Sequence, residues 1–288
     1  MSRTAILPIP LALCLLASAL AQSASQATPT CSFSRIQIGL YTSVYGINNK
    51  NVIVGTYNPD ASAQFGYLLT GTTITNIDYP GSAFTSAFGM NDNGEVVGAY
   101  AMTLTSPDQG FSWLNGVFTT LTYPGSLATY ALGINIHNVI VGTYQNSQGA
   151  NHGFAYSGGK YVTINFPGAT STLLSGINKN GAIVGSYIDV SNVGHGILYQ
   201  NGKLTVIDYP GAANTGLSAI SDTGVIVGAY YNSNYSQWDG FVWDSGKFRS
   251  IVDPSAPTAT AANGINDFGI LVGNAGYTAG FKALGCAP

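Results

Sequence analysis

Short apolar segments bounded by Gly, Asn, Ser and Pro run along most of the chain, the pattern of brief strands joined by tight turns. One signal sets their register. Gly-Ile-Asn stands at Gly46-Ile47-Asn48, Gly133-Ile134-Asn135, Gly176-Ile177-Asn178 and Gly264-Ile265-Asn266, with variants at Gly89-Met90-Asn91 and Ala219-Ile220-Ser221. Successive copies begin 43, 44, 43, 43 and 45 residues apart. A self-similar period of this length marks a repeat architecture.

Each unit contains four strand signals. The first ends in the tripeptide and carries a threonine four residues earlier: Thr42, Thr85, Thr129, Thr172, Thr215 and Thr260. A turn closes on Asn51, Gly94, Asn138, Gly181, Gly224 or Gly269, residue types that tolerate positive φ. The second strand is apolar and ends in Val-Gly, as in Val54-Gly55 and Val97-Gly98. Those glycines answer either to a close backbone approach or to a strand bend. A polar loop of variable length leads to a third strand opening with Gly-Phe or a relative, as in Gly110-Phe111 and Gly153-Phe154. Asn115-Gly116, Gly158-Gly159, Asn201-Gly202 and Ser245-Gly246 make a second tight turn. The fourth strand runs into Tyr-Pro-Gly, as at Ile77-Asp78-Tyr79-Pro80-Gly81.

Four antiparallel strands per unit and six units predict an all-β fold, a six-bladed β-propeller of four-stranded antiparallel blades. A linear β-solenoid is the rival, but its coils are shorter and its strands parallel, whereas two hairpin-type turns per unit require antiparallel pairing. The ends also favour a ring. The last unit stops after three strand signals, and the missing fourth stands at the other terminus as Phe33–Gly39, ahead of Thr42. The N-terminal strand is therefore expected to complete the last blade. By alignment, Cys31 and Cys286 then face each other across the break in one hairpin, which predicts a Cys31–Cys286 disulfide.

Gly-Ile-Asn, Ile-Val-Gly-x-Tyr and Gly-Phe together resemble the HAF repeats of exported bacterial proteins, over about residues 42 to 284. The resemblance implies secretion and repeat architecture, assigns no catalytic residues and leaves function open. Ala219-Ile220-Ser221 and Asp253-Pro254-Ser255 depart from its pattern.

The first residues have the plan of an export signal: Arg3, an apolar stretch from Ala5 to Leu20, and Ala19-Leu20-Ala21 as a small-x-small site. Residues 1–21 are read as a removed signal peptide, 22–30 as a short polar segment and 31–288 as one propeller domain. Using Cys14 as a lipidation site would want a small residue where Leu13 stands. The mature chain is expected to be secreted, extracellular or periplasmic, monomeric and without a membrane span. Charged residues make up 7% of the chain, with a formal net charge of −3, so the basic footprint of a nucleic-acid binder is missing.

Candidate chemistry is sparse. Both tight turns of every unit fall on one face of the predicted disc, and the variable loops and Tyr-Pro-Gly segments on the other. The most distinctive loop holds Tyr230, Tyr231, Tyr235 and Trp238 among Asn and Ser. These rings either pack on the neighbouring blade or stack on sugar rings and dock peptide side chains. Tyr79, Tyr123, Phe166 and Tyr209 recur once per unit, which marks them as packing residues. The repeated threonines either line the channel mouth or make strand-end hydrogen bonds.

His152 and His195 occupy matching places before the third strand, where another unit has Asp239. A shared zinc would need their ligand atoms within about 2 Å of one ion, which adjacent blades do not ensure. Asp60, Asp108, Asp189 and Asp239 lie in the variable loops without a calcium-loop spacing. Asp92, Asp222 and Asp267 sit inside the repeated turn, where a bond to the backbone is the ordinary role. No catalytic residue, metal or cofactor is assigned. The leading expectation is a secreted, non-catalytic binding module for polysaccharide, another extracellular polymer or a protein. The alternatives are a glycan-active hydrolase or lyase and a purely structural envelope protein.

Overall fold

In the computed structural model, residues 31–60, 63–234, 236–256, 259–276 and 278–287 are described, and they form six four-stranded antiparallel sheets arranged as the blades of a propeller. Residues 1–30, with the expected signal peptide and polar segment, lie outside the described residues. Blade one comprises β2 (Tyr41–Ile47), β3 (Ile53–Asn58), β4 (Phe65–Thr70) and β5 (Thr73–Ile77), and the next four blades follow the same order. Blade six comprises β22 (Thr260–Ile265), β23 (Leu271–Ala275) and β24 (Ala279–Leu284), with β1 (Ser32–Ile36) as its outer strand. β1 pairs antiparallel with β24 from Ser32↔Leu284 to Ile36↔Gly280, so the two ends of the chain share one sheet. Beside that seam Cys31 and Cys286 are disulfide-bonded, their Cα atoms 4.8 Å apart.

The inner strands surround a central channel. In every blade the pairing of the first two strands shifts by one residue just before the tripeptide, for example between Val44 and Gly46. The bulged residues Tyr45, Phe88, Leu132, Ser175, Ser218 and Asn263 line the channel. At Gly133, a Cβ would stand 2.8 Å from the carbonyl oxygen of Ser175 in the next blade, so the small residue of the tripeptide permits neighbouring inner strands to approach. The Val-Gly glycine is also a close-approach position. At Gly98, a Cβ would collide with the carbonyl of Ser86 and sit 2.7 Å from the Phe111 ring, its cross-strand partner.

The core lies between blades. Val54 of blade one packs with Ile77, Ala87, Val96, Tyr100 and Phe111, and equivalent clusters recur around the ring. Phe111, Phe154, Phe241 and Phe281 are fully buried. Because a single blade leaves such side chains uncovered, stacking against neighbours supplies the burial that stabilises each sheet.

Two of the open repeat positions resolve as scaffold. All six repeated threonines are buried, and each hydroxyl accepts an N–H from the connection entering its strand, as with Tyr79 to Thr85 and Tyr209 to Thr215, both at 3.0 Å. They do not line the channel. The Tyr-Pro-Gly ring stacks on the second-strand tyrosine of the next blade: Tyr79 on Tyr100 at 3.5 Å, Tyr123 on Tyr144 at 3.6 Å and Phe166 on Tyr187 at 3.8 Å.

Candidate functional site

The aromatic loop of blade five divides between scaffold and surface. β19 (Ile226–Asn232) and β20 (Gln237–Asp244) flank it, and Tyr230 belongs to the scaffold. Its ring is buried and stacks on Tyr209 with centroids 3.6 Å apart and planes 1° from parallel. Its hydroxyl lies 3.2 Å from Ser250 Oγ, and burial above all pushes its pKa up to about 12. The expectation that Tyr230 belongs to a binding surface is thus corrected: it is the second-strand tyrosine of the repeat, committed to the blade interface. Tyr235 falls outside the described residues.

Tyr231 and Trp238 pair across β19 and β20, and their rings meet edge to face at 5.7 Å and 69°. Trp238 is 43% exposed and Tyr231 half-buried. Together with Gln237 and Ser236 they form one wall of a cleft of about 440 Å³. The other wall comes from blade six, through Ala259, Thr260, Ala261, Asn274 and Gly276. This volume lies within the range of small-molecule sites. Among the described residues, none that lines the cleft is charged.

The residue following the repeated threonine differs from junction to junction. At the junction of blades two and three that residue is Tyr130, whose hydroxyl donates to Asp108 at 2.7 Å. At the junction of blades one and two it is Ser86, bonded to Gln64 at 2.6 Å. Between blades five and six it is Ala261, which has no side-chain group to span the gap.

Asp239 lies on the opposite face of β20 from Trp238, paired with Tyr230. It is 3% exposed, and its carboxylate accepts Gln237 Nε2 at 2.7 Å, Asn232 Nδ2 at 2.8 Å and the Tyr230 hydroxyl at 3.4 Å. The sequence pattern gave no reason to single out Gln237 and Asn274. The residue after the repeated threonine offers little signal, since the six units carry Ser43, Ser86, Tyr130, Leu173, Gly216 and Ala261 there.

The histidines fall in separate blades. His152 has its ring nitrogens 2.9 and 2.8 Å from the side-chain nitrogens of Asn146 and Asn165. At the matching place in blade four, His195 Nδ1 lies 2.7 Å from Asp208 Oδ2 and its Nε2 3.7 Å from Asp189 Oδ2. The bond to Asp208 is the main cause that raises the His195 pKa, and backbone N–H groups, Val193 foremost, lower that of Asp189. His152, His195 and Asp239 therefore hold separate local partners. Among the described residues no group of three or more His, Cys, Asp or Glu side chains is placed to hold a metal ion.

The opposite mouth of the channel is closed by the tripeptides themselves. Asn91, Asn135 and Asn178 each donate from Nδ2 to the main-chain carbonyl of the matching residue in the next blade. Asp92, Asp222 and Asp267 also bond across blades, accepting the N–H groups of Asn49, Lys179 and Asp222 respectively. The expected backbone bond is present in each case, but it joins two blades instead of bracing one turn.

No family model and no curated protein matches the chain. Similarity to solved structures is extensive. A mutant of the Aleuria aurantia lectin, solved in complex with Fucα1-6GlcNAc, is 14% identical with a TM-score of 0.53, over 87% of this chain and 98% of that one. TolB from Acinetobacter baumannii is 12% identical with a TM-score of 0.58, over 86% of this chain and 64% of that one. A streptogramin B lyase is 11% identical with a TM-score of 0.52, over 90% and 99%. At these identities the shared property is the propeller fold, which carries unrelated functions.

Proposed function

We propose that the protein is a secreted carbohydrate-binding propeller whose ligand sits on the loop face, in the cleft between blades five and six. The observation that carries this reading is the edge-to-face Tyr231–Trp238 pair at the wall of a ligand-sized cleft. Aromatic faces suit the C–H-rich face of a pyranose, and neighbouring amides can satisfy its hydroxyls. The likeness to a lectin with a bound fucosyl disaccharide supports the same chemistry. Export to an oxidising compartment agrees with the Cys31–Cys286 bridge, since such bonds persist there.

The test is a glycan array followed by calorimetry, with fucosylated oligosaccharides among the first probes. Binding that falls by an order of magnitude or more in Trp238→Ala, with thermal stability retained, is the expected outcome. An array without signal, or binding indifferent to Trp238, would overturn the proposal.

A further inference from the structure

We propose that the groove between blades six and one is a second binding site, which takes a free aliphatic carboxylate with its chain against blade one and its anionic head at Lys282. Turn residues Asn51, Gly71 and Thr72 border the groove, so it lies on the turn face, opposite the glycan cleft and independent of it.

Two departures from the repeat meet at this junction. The first is on blade one. Ile53, Leu69 and Ile74 pair across its second, third and fourth strands, so they share the face on which Ile53 packs with Ile36 and Val272 of blade six. The matching third- and fourth-strand pair is Trp113 and Phe118 in blade two, Tyr156 and Tyr161 in blade three, and Trp243 and Phe248 in blade five. Blade four has Tyr199 with Leu204, and blade six has Ala283 with Phe33. Each of those five pairs packs into the core shared with the preceding blade. Blade one alone has no ring at either place, and Ile74 is left 44% exposed.

The second departure is on blade six. Lys282 pairs with Val272 and with Ser34, which puts it on the face toward blade one. In the other blades this position holds Leu68, Ser112, Ala155, Leu198 and Val242. Among the described residues Lys282 has no carboxylate and no hydrogen-bond partner. Arg249, on the face of blade five toward blade six, instead donates to the Cys286 carbonyl at 2.9 Å. A half-buried ammonium without a counter-charge carries a desolvation cost that a bound anion offsets.

The space so left is about 420 Å³, within the range of small-molecule sites. Ile36, Ile53, Leu69 and Ile74 give it aliphatic walls, and Lys282 lines it as well. Arg35 also borders the groove, but its side chain alternates to the other face of β1, where it donates to Gln37 Oε1 at 3.2 Å. Aliphatic walls reward each methylene removed from water, and a carboxylate head makes a charge-assisted hydrogen bond to the ammonium. A chain with one anionic end satisfies both features.

The experiment is calorimetry on the purified, disulfide-intact chain with monomeric decanoate, using decanol and acetate as the chain and the head alone. Expected are one decanoate bound per chain, decanol weaker by about tenfold, the scale of one charge-assisted bond, and no measurable acetate binding. Lys282→Met keeps the apolar stem and should bring decanoate down to the level of decanol. Leu69→Trp combined with Ile74→Phe copies the pair of blade two into blade one and should abolish binding of both ligands. A melting curve checks that this variant is folded, and Ile74→Phe alone supplies the same test if it is not. No decanoate binding, equal affinity for decanol, or decanoate binding unchanged in Lys282→Met or in the folded filled variant would overturn the proposal. Lys282-dependent sedimentation with anionic vesicles, without binding of monomeric decanoate, would assign the groove to a lipid surface and overturn the free ligand.

Discussion

Asn135 donates from Nδ2 to the main-chain carbonyl of Asn178 in the next blade at 3.1 Å, while its Oδ1 accepts the N–H groups of His137 and Val139 at 3.0 Å each. One buried amide thus closes its own turn and latches the adjacent blade. Asn48, Asn91, Asn178 and Asn266 repeat the arrangement. Blade five is the exception, since Ser221 accepts the Val225 N–H at 3.1 Å but is too short to reach the next blade. Asn135→Ala should therefore destabilise by roughly 2–4 kcal/mol, from lost bonds and a turn left unsatisfied. Ser221→Asn should stabilise by about 1 kcal/mol by supplying the missing latch. Chemical denaturation measures both, and an unstable Ser221→Asn would contradict the account.

The seam is the second test. β1 and β24 hold the ring shut by five residue pairs, and the Cys31–Cys286 bridge links residues 255 apart in sequence. Restricting so long a loop in the unfolded chain is worth about 2–5 kcal/mol. Cys31→Ser, or full reduction, should lower the melting temperature while leaving the folded far-UV spectrum intact. Equal melting in oxidised and reduced samples would show that the strand pairing alone closes the ring.

Two neighbouring tyrosines in blade five should behave oppositely. Tyr230→Ala removes a ring buried against Tyr209 and should cost roughly 3–5 kcal/mol of stability, as large core truncations do. Tyr231→Ala, at the half-buried cleft wall, should lose glycan affinity with a much smaller change in melting temperature. Thermal denaturation and calorimetry on the same two variants would separate the roles, and parallel losses in both would refute the division.

That division also marks how far the residues could be read without coordinates. Gly-Ile-Asn, Val-Gly and Gly-Phe recur in register, so each copy reports the same backbone environment, and the blade count, strand order and closing strand were legible from Thr42 and Phe33 onward. The disulfide followed because two cysteines aligned with adjacent positions of one hairpin. Tyr230 misled because it stands beside Tyr231 in sequence, although consecutive strand residues point to opposite faces. Alignment with Tyr100 and Tyr144 would have placed it in the interface. The cleft was illegible for a different reason. It is made by two blades, with Tyr231 and Trp238 from one and Ala261 and Asn274 from the other, a juxtaposition across a blade junction that no motif encodes.

The last prediction concerns pH. His195 sits between Asp208 Oδ2 at 2.7 Å and Asp189 Oδ2 at 3.7 Å, joining the loop of blade four to the connection that enters blade five. The bond to Asp208 raises its pKa above the ordinary 6.5, against a smaller opposing effect of burial. A folded pKa above the unfolded one means that this stabilisation is complete below about 6.5 and is lost as pH rises through the raised value. Asp189 has the opposite sign: its lowered pKa gives stabilisation present above the ordinary carboxylate range and lost as pH falls through the lowered value. The clamp is therefore strongest between about pH 5 and 6.5 and loosens toward alkaline pH. An NMR titration should find His195 protonating above 6.5, and Asp208→Asn should move it down. Amide exchange at Val193, whose N–H donates to Asp189 at 2.8 Å, should be slower at pH 6 than at pH 8.5 once corrected for intrinsic rates. A His195 pKa at or below 6.5, or protection at Val193 that ignores Asp208→Asn, would show that the two carboxylates do not act through the imidazolium.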